Sequence, residues 1–303
     1  MNLNSERETR QATESIFSNR AGTNLLFWVL LLVYALARVL QVYPGRVPMF
    51  AVVGLHVFPP MVFAAIHGAR AYKWGGILTF FAMTLLVGNV FENIGVRTGF
   101  PYGHYYFTDL MGPKLSVVPI TLGLAYVGMA YLSWTLARLI LGEVQAPLHG
   151  HRVVTLPVVA AVIMVAWDVC QDPVWSTVLH AWVWLQGGTY FGVPISNFFG
   201  WFLTTYIIYQ LFALYSRRKP MTPLPVRYWR QAVLFYGVSA GGNLLLVLPQ
   251  ARYSMVADAT GIQWKVSAIT GTCAVVTVVT MGAFAMLAWL RLRKGGTVVI
   301  QVR

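Results

Sequence analysis

An all-α protein that threads a lipid bilayer repeatedly is the fold class this chain predicts, on three observations. Its 303 residues are 57% hydrophobic and only 10% charged, a balance foreign to a water-facing surface of this size. Apolar stretches of about 20 residues, the length a helix needs to cross a hydrocarbon core of about 30 Å, recur along it. These stretches also lack the two-residue alternation of a membrane β-barrel, the other architecture that satisfies its own backbone hydrogen bonds in lipid.

Taken in order, the apolar runs at 24–42, 49–69, 75–96, 115–141, 153–172, 196–215, 231–249 and 266–290 each predict a spanning helix, about eight in all. Residues 1–23 read as a polar N-terminal tail carrying Arg7, Arg10 and Arg20. No small-residue cleavage site precedes Leu25, so the first helix is expected to be retained. Residues 24–291 are expected to form one transmembrane helical domain and 292–303 a basic C-terminal tail. The loop from Gly142 to Arg152 is the one candidate divide between two four-helix halves.

A net charge of +13 would suit nucleic acid, but the placement of the basic residues argues for topology instead. With the N-terminus cytoplasmic, the inner loops hold most of them, including the cluster Arg217, Arg218, Lys219, Arg227 and Arg230. The outer side keeps Arg38, Arg46, Arg97, Lys114, Arg252 and Lys265. That is the positive-inside bias of a multi-pass protein with both termini cytoplasmic, and the expected location is the cell membrane. Membrane lipids are expected partners, since the 217–230 cluster suits anionic headgroups; nucleic acid is not. The only cysteines, Cys170 and Cys273, sit inside apolar runs without CxxC spacing and read as small core residues.

The nine Asp and Glu residues are the sharper signal. Glu92, Asp168 and Asp172 lie at the ends of long apolar runs, where burying an acid costs about 2.5–3.5 kcal/mol and by default marks a pathway or a reaction site. The predicted topology gathers them, because the third and fifth helices end on the face where the sixth starts at Asn197. The two loops on that face, Gly99–Thr108 and Gly187–Pro194, are rich in glycine, proline and aromatics.

Asp168 and Asp172 are four residues apart, one turn along one helix face. Two carboxylates so close in a low dielectric cannot both ionise cheaply, so the pair is expected to hold a proton. Pro173 is expected to end the helix at Asp172, where the negative end of the macrodipole opposes a second charge. A carboxylic acid kept neutral is a proton donor. The competing reading is that these acids merely pin a helix end through Asn197, a tyrosine or a loop amide.

The aromatics beyond Asp172, among them Trp175, Trp182, Trp184, Tyr190, Phe198 and Trp201, could face a cation with their π systems or form an interfacial belt. The segment 174–186 is expected as a short interfacial or re-entrant helix over a pocket. His56 and His67 share a helix face, but no second helix offers a matched pair for haem. His104 and His180 lack any HxxxH or HExxH spacing, so no metal is expected.

The run ENIGVRTGFPYGHYYFT over Glu92–Thr108, followed by GPKL from Gly112 and Val118-Pro119, resembles the signature of the membrane carotenoid biosynthesis family that includes the carotenoid hydratases. A second block agrees in order and spacing: AWDVCQDP from Ala166, WVW from Trp182, GTYFGVP from Gly188 and NFFGW from Asn197. Together the blocks cover about 110 residues. Departures are Tyr102, where the family often has Phe, and Tyr126, where a Trp is common.

The resemblance implies addition of water across the terminal double bond of an acyclic carotenoid end, giving a tertiary alcohol without a cofactor. Carotenoid and water would be the substrates, with association with other carotenoid biosynthesis enzymes also open. On that chemistry Asp172 or Asp168 is expected to donate the proton and its neighbour to stabilise the cation or orient water. Glu92 would serve as base or relay. Asn197, Tyr105 and Tyr190 would position the water, and Tyr102, Trp184 and Phe198 would hold the polyene end. A carotenoid cyclase begins with the same protonation and remains the alternative. A membrane transporter or a carotenoid-binding protein is the alternative from outside enzymology.

Overall fold

The computed structural model describes residues 24–43, 46–143, 148–219, 224–248 and 254–298; the polar tail expected over 1–23 lies outside them. Helices dominate: α1 (Asn24–Leu40), α2 (Met49–Thr98), α3 (Ile120–Leu141), α4 (Arg152–Val169), α5 (Ile195–Ser216), α6 (Val226–Leu245), α7 (Val266–Thr277) and α8 (Ala283–Val298). After a two-residue turn at Cys170 and Gln171 that follows α4, helical backbone resumes and runs through Val174–Val178 with i→i+5 bonding, and another such turn at Val278–Gly282 joins α7 to α8. Five of the resulting rods are long and apolar enough to cross a membrane: Met49–Thr98, Ile120–Leu141, Arg152–Val178, Ile195–Ser216 and Val266–Arg293. The chain is therefore an all-α polytopic membrane protein.

The 50-residue α2 is two helices in one. Unbroken, it would measure about 75 Å at 1.5 Å per residue, over twice a hydrocarbon core. Its backbone leaves the helical region at Lys73 (φ 57°, ψ 170°). The halves then fold together: the Ile77 side chain lies against Gly68, and Phe50 in the first turn lies beside Gly112, beyond the other end.

The helix ends follow local chemistry. Extended prolines, Pro48, Pro119, Pro194 and Pro225, precede α2, α3, α5 and α6, and the first N–H groups of a helix have no internal acceptor to lose. Gly99 and Gly142 close α2 and α3 in the left-handed conformation, at φ 80° and 77°, which only glycine adopts without a steric cost.

Apolar around its whole circumference, α3 is buried from Tyr126 to Leu139, as such a helix must be. It packs against α2, α4, α6 and α8. By contrast α1 and the α7–α8 rod present Leu25, Leu32, Val275, Val279 and Met286 to the surroundings. Arg38, expected on the aqueous side, is instead buried between α1 and α6, donating to the carbonyl of Ser239 at 3.2 Å and to Asn243. Hydropathy alone cannot show that a neighbouring helix supplies these acceptors. Cys170 and Cys273 are buried and free, as expected.

Among the described residues outside the helices, three antiparallel ladders of two strands organise the loops: β1 (Tyr105–Phe107) with β4 (Trp182–Trp184), β2 (Lys114–Leu115) with β3 (Val118–Pro119), and β5 (Met255–Ala257) with β6 (Gln263–Lys265). The re-entrant helix expected over 174–186 is thus corrected: it stops at Val178, and WVW becomes a strand. Aromatic and β-branched residues favour a strand once a partner is present, and the partner, YYF of β1, is far away in sequence.

Close packing of α2 on α3 depends on Gly128, where a Cβ would come within 2.8 Å of the Pro60 Cβ and 3.0 Å of the Met61 nitrogen. Gly128→Ala is expected to lose about 1–3 kcal/mol to overpacking, read as a lower midpoint of thermal unfolding in detergent. Gly271→Ala, where a Cβ meets nothing within 4 Å, should leave the midpoint in place.

Candidate active site

The β1–β4 ladder ties the Gly99–Thr108 loop to the Trp182–Trp184 segment that precedes the second glycine-rich loop. Its register sets Tyr105 opposite Trp184, with ring centroids 4.8 Å apart. Tyr102 locks the arrangement to the helices. Its ring is wedged between Gly95 of α2 and Gly200 of α5, where a Cβ would approach it to 2.6 and 2.5 Å, and its hydroxyl pairs with Thr204 at 2.7 Å.

Around this frame the three acids converge, only 4% (Glu92), 2% (Asp168) and 1% (Asp172) exposed. Glu92 accepts from the hydroxyls of Tyr105 and, at 2.6 Å, Tyr126. Asp172 Oδ1 accepts from the indoles of Trp182 at 2.9 Å and Trp184 at 3.3 Å. The Asn197 amide donates to Asp172 Oδ2 at 2.6 Å and to Asp168 Oδ2 at 2.9 Å. Among the described residues no lysine or arginine lines the chamber, so hydrogen bonds rather than ion pairs compensate these groups. Burial pushes the Tyr105 phenol well above its ordinary pKa, with the nearby Glu92 charge adding to the effect; it enters the site as an O–H group.

The aspartates do not share one continuous helix. α4 ends at Val169, Cys170 and Gln171 form a turn, and helical backbone resumes at Asp172. Pro173 (φ −60°, ψ −29°) sits inside the new turn. Instead of ending the old helix at Asp172, as expected, it starts the next one, because proline is tolerated in a first turn where its missing N–H has no acceptor to serve. Ser176 fixes the turn by donating to the Asp172 carbonyl at 2.8 Å.

Glu92, Tyr105, Asp172, Trp184, Asn197 and Trp201 enclose a cavity of about 20 Å³, which Tyr102 and Trp182 also line; this is room for about one water molecule. Of the residues expected at the site, Glu92, Tyr102, Tyr105, Asp172, Trp184 and Asn197 therefore meet there. Asp168 stands behind, joined through Asn197. Tyr190 and Phe198 do not line the cavity: Tyr190 donates to the Val169 carbonyl at 3.2 Å and packs its ring on Phe198 at 5.7 Å. They buttress the break after α4.

Sequence reasoning gave Tyr126 no place in the site and named Trp182 and Trp201 only among the aromatics that could face a cation or form an interfacial belt. Alternation along β4 puts residues 182 and 184 on one face, a signal that would have added Trp182 once the strand was recognised. Tyr126 lies 34 residues from Glu92, and its ring stacks on Trp201 at 4.5 Å. Only the packing of α3 on α2 and α5 reveals either.

Fold and site define a polytopic membrane protein with carboxyl groups gathered on an aromatic chamber among its helix ends. Residues 49–251 match the family described as carotenoid biosynthesis protein, and the chain belongs to that family. It is similar to the bisanhydrobacterioruberin hydratase of Haloarcula japonica, 29% identical over 166 residues that make up 54% of this chain and 53% of the relative. The match thus spans about half the length of that relative. No solved structure matches the chain.

Because a single amide serves both aspartates, Asn197 and Asp168 should be energetically coupled. Asn197→Leu leaves buried acceptors without a donor and is expected to cost about 1–3 kcal/mol. A double-mutant cycle with Asp168→Asn, followed by unfolding in detergent, should show non-additivity of about 0.5 kcal/mol or more; additive losses would mean that the bridge is energetically silent.

Proposed function

We propose that this chain catalyses cofactor-independent, acid-catalysed hydration of the terminal double bond of an acyclic carotenoid. The observation that carries the reading is the chamber itself: two ionisable acids, Glu92 and Asp172, face a buried aromatic cavity with room for about one water.

The hydrogen-bond donors support one division of roles. Indole and amide N–H groups can only donate, and Asp172 receives three of them, so its carboxylate form fits the site. The Tyr105 and Tyr126 hydroxyls can instead accept, so Glu92 can hold a proton and direct it to either phenol or to substrate. Asp168, with Asn197 as its single donor among the described contacts, holds the proton that keeps the aspartate pair at one charge. Glu92 then protonates the less substituted alkene carbon, forming a C–H bond and leaving a tertiary cation. The faces of Trp184 and Trp201 and the charge of Asp172 stabilise that cation. Water adds to it through oxygen, Asp172 takes the proton released, and transfer back to Glu92 resets the site. These roles differ from the assignment expected from sequence, in which an aspartate donated and Glu92 served as base or relay.

Cyclisation shares the first step but captures the cation with an internal alkene, whereas the chamber beside the acids has room for about one water. The similarity to a hydratase favours water capture in the same direction. The reading includes about eight spans in the cell membrane with both termini cytoplasmic, which reporter fusions at each end would check.

Expressed in lycopene-accumulating bacteria, the chain should yield a pigment heavier by one or two waters. A pigment of unchanged mass but altered spectrum would identify a cyclase. Glu92→Gln and Asp172→Asn should each lower product by about 100-fold or more, the scale of a lost general acid or base. Incubating the purified chain with preformed, unlabelled carotenoid in heavy water separates the two roles: Asp172→Asn should still place deuterium in recovered substrate, because protonation is reversible, whereas Glu92→Gln should not. The opposite pattern would exchange the roles.

A further inference from the structure

A chamber this small holds water, not the end of a carotenoid, so the double bond must be presented at its wall. We propose that the polyene lies in a lipid-facing groove between the second half of α2 and the β2–β3 hairpin with the first turns of α3. Leu122 is the stop that fixes how far its end advances towards the acids. This inference rests on the hydratase reading above.

The groove has a volume of about 300 Å³, at the lower end of ligand pockets, enough for the end of a long chain whose remainder stays in the bilayer. One wall is the stripe Thr84, Gly88 and Glu92, four residues apart on one face of α2. Its Thr84 hydroxyl is already spent on the Phe80 carbonyl at 2.8 Å, which leaves Glu92 as the ionisable group at the inner end. Leu85, Leu115 and Ile120 line the groove and are exposed, so it opens towards lipid, the phase in which a carotenoid is dissolved. Gly88 and Gly123 keep it open: a Cβ on Gly123 would come within 3.1 Å of Leu85, and one on Gly88 within 3.7 Å of Tyr126.

Continuity with the acids commits the groove to substrate rather than to a lipid acyl chain. Glu92 and Leu122 line both the groove and the chamber, and a saturated chain end gains nothing from a carboxyl group, whereas an alkene end gains a proton. Leu122 also borders a third cavity of about 60 Å³ lined by His56, Gln171, Trp175 and Trp182. One buried side chain, 7% exposed, therefore partitions three spaces.

The test purifies the full chain from lycopene-accumulating cells and reads bound pigment per protein by visible absorption, with product mass measured on the same cells. Wild type should retain polyene. Gly88→Leu, and Leu115→Trp on the exposed rim where the fold is not challenged, should lower retained pigment about tenfold, equivalent to about 1.4 kcal/mol. Leu86→Trp, on the same helix but not lining the groove, should not. Leu122→Ala should keep pigment but lose product, because the end overshoots and displaces the water. Pigment retained by both groove variants, a wild type that carries only phospholipid, or Leu122→Ala with normal product would each overturn the proposal. Pigment bound by wild type and lost in Leu115→Trp, with no hydrated product from any form, would leave the groove standing and overturn the hydratase reading instead.

Discussion

Three carboxyl groups, buried with no counter-cation among the described residues, dictate how everything near them is built. In a low dielectric an unpaired polar group costs far more than it does in water, so each acid has to be supplied with donors whatever the backbone must do to deliver them. Asn197 reaches both aspartates, two indoles reach Asp172, and two phenols reach Glu92. The donors come from α3, α5 and both loops. The acids therefore act as the point to which otherwise separate elements are tied.

Several irregularities follow from that demand. The break between Val169 and Asp172 turns the second aspartate towards the Trp182 and Trp184 indoles, while the β1–β4 ladder holds those indoles in place. Gly95 and Gly200 admit the Tyr102 ring between two helices, and Tyr102 in turn carries the loop that delivers Tyr105. The common effect of these features is to keep acids, phenols and indoles in fixed relation around a space the size of a water molecule.

On the proposed reading, a tertiary cation beside bulk water would be quenched without control, which is a reason to keep a small polar chamber apart from an apolar groove. Glu92 and Leu122 line both spaces, so in that proposal the division falls on one acidic and one inert side chain.

Membrane insertion is a local property: about 20 apolar residues suffice, and the composition alone excludes a soluble surface, so class, helix positions and the cost of burying Glu92, Asp168 and Asp172 were legible without coordinates. The motif blocks around Glu92 and Asp172 were equally legible, and with them the family. Position in three dimensions was not. Arg38 looked aqueous until α6 supplied its acceptors, residues 182–184 looked helical until β1 supplied a partner, and Tyr126 had no visible tie to an acid 34 residues away. Tyr190 and Phe198, neighbours of the site in sequence, proved to support it from outside the cavity. Hydrophobicity and helix period are read along the chain, whereas the donors that stabilise a buried charge are recruited across it, and only the tertiary structure decides which side chains those are.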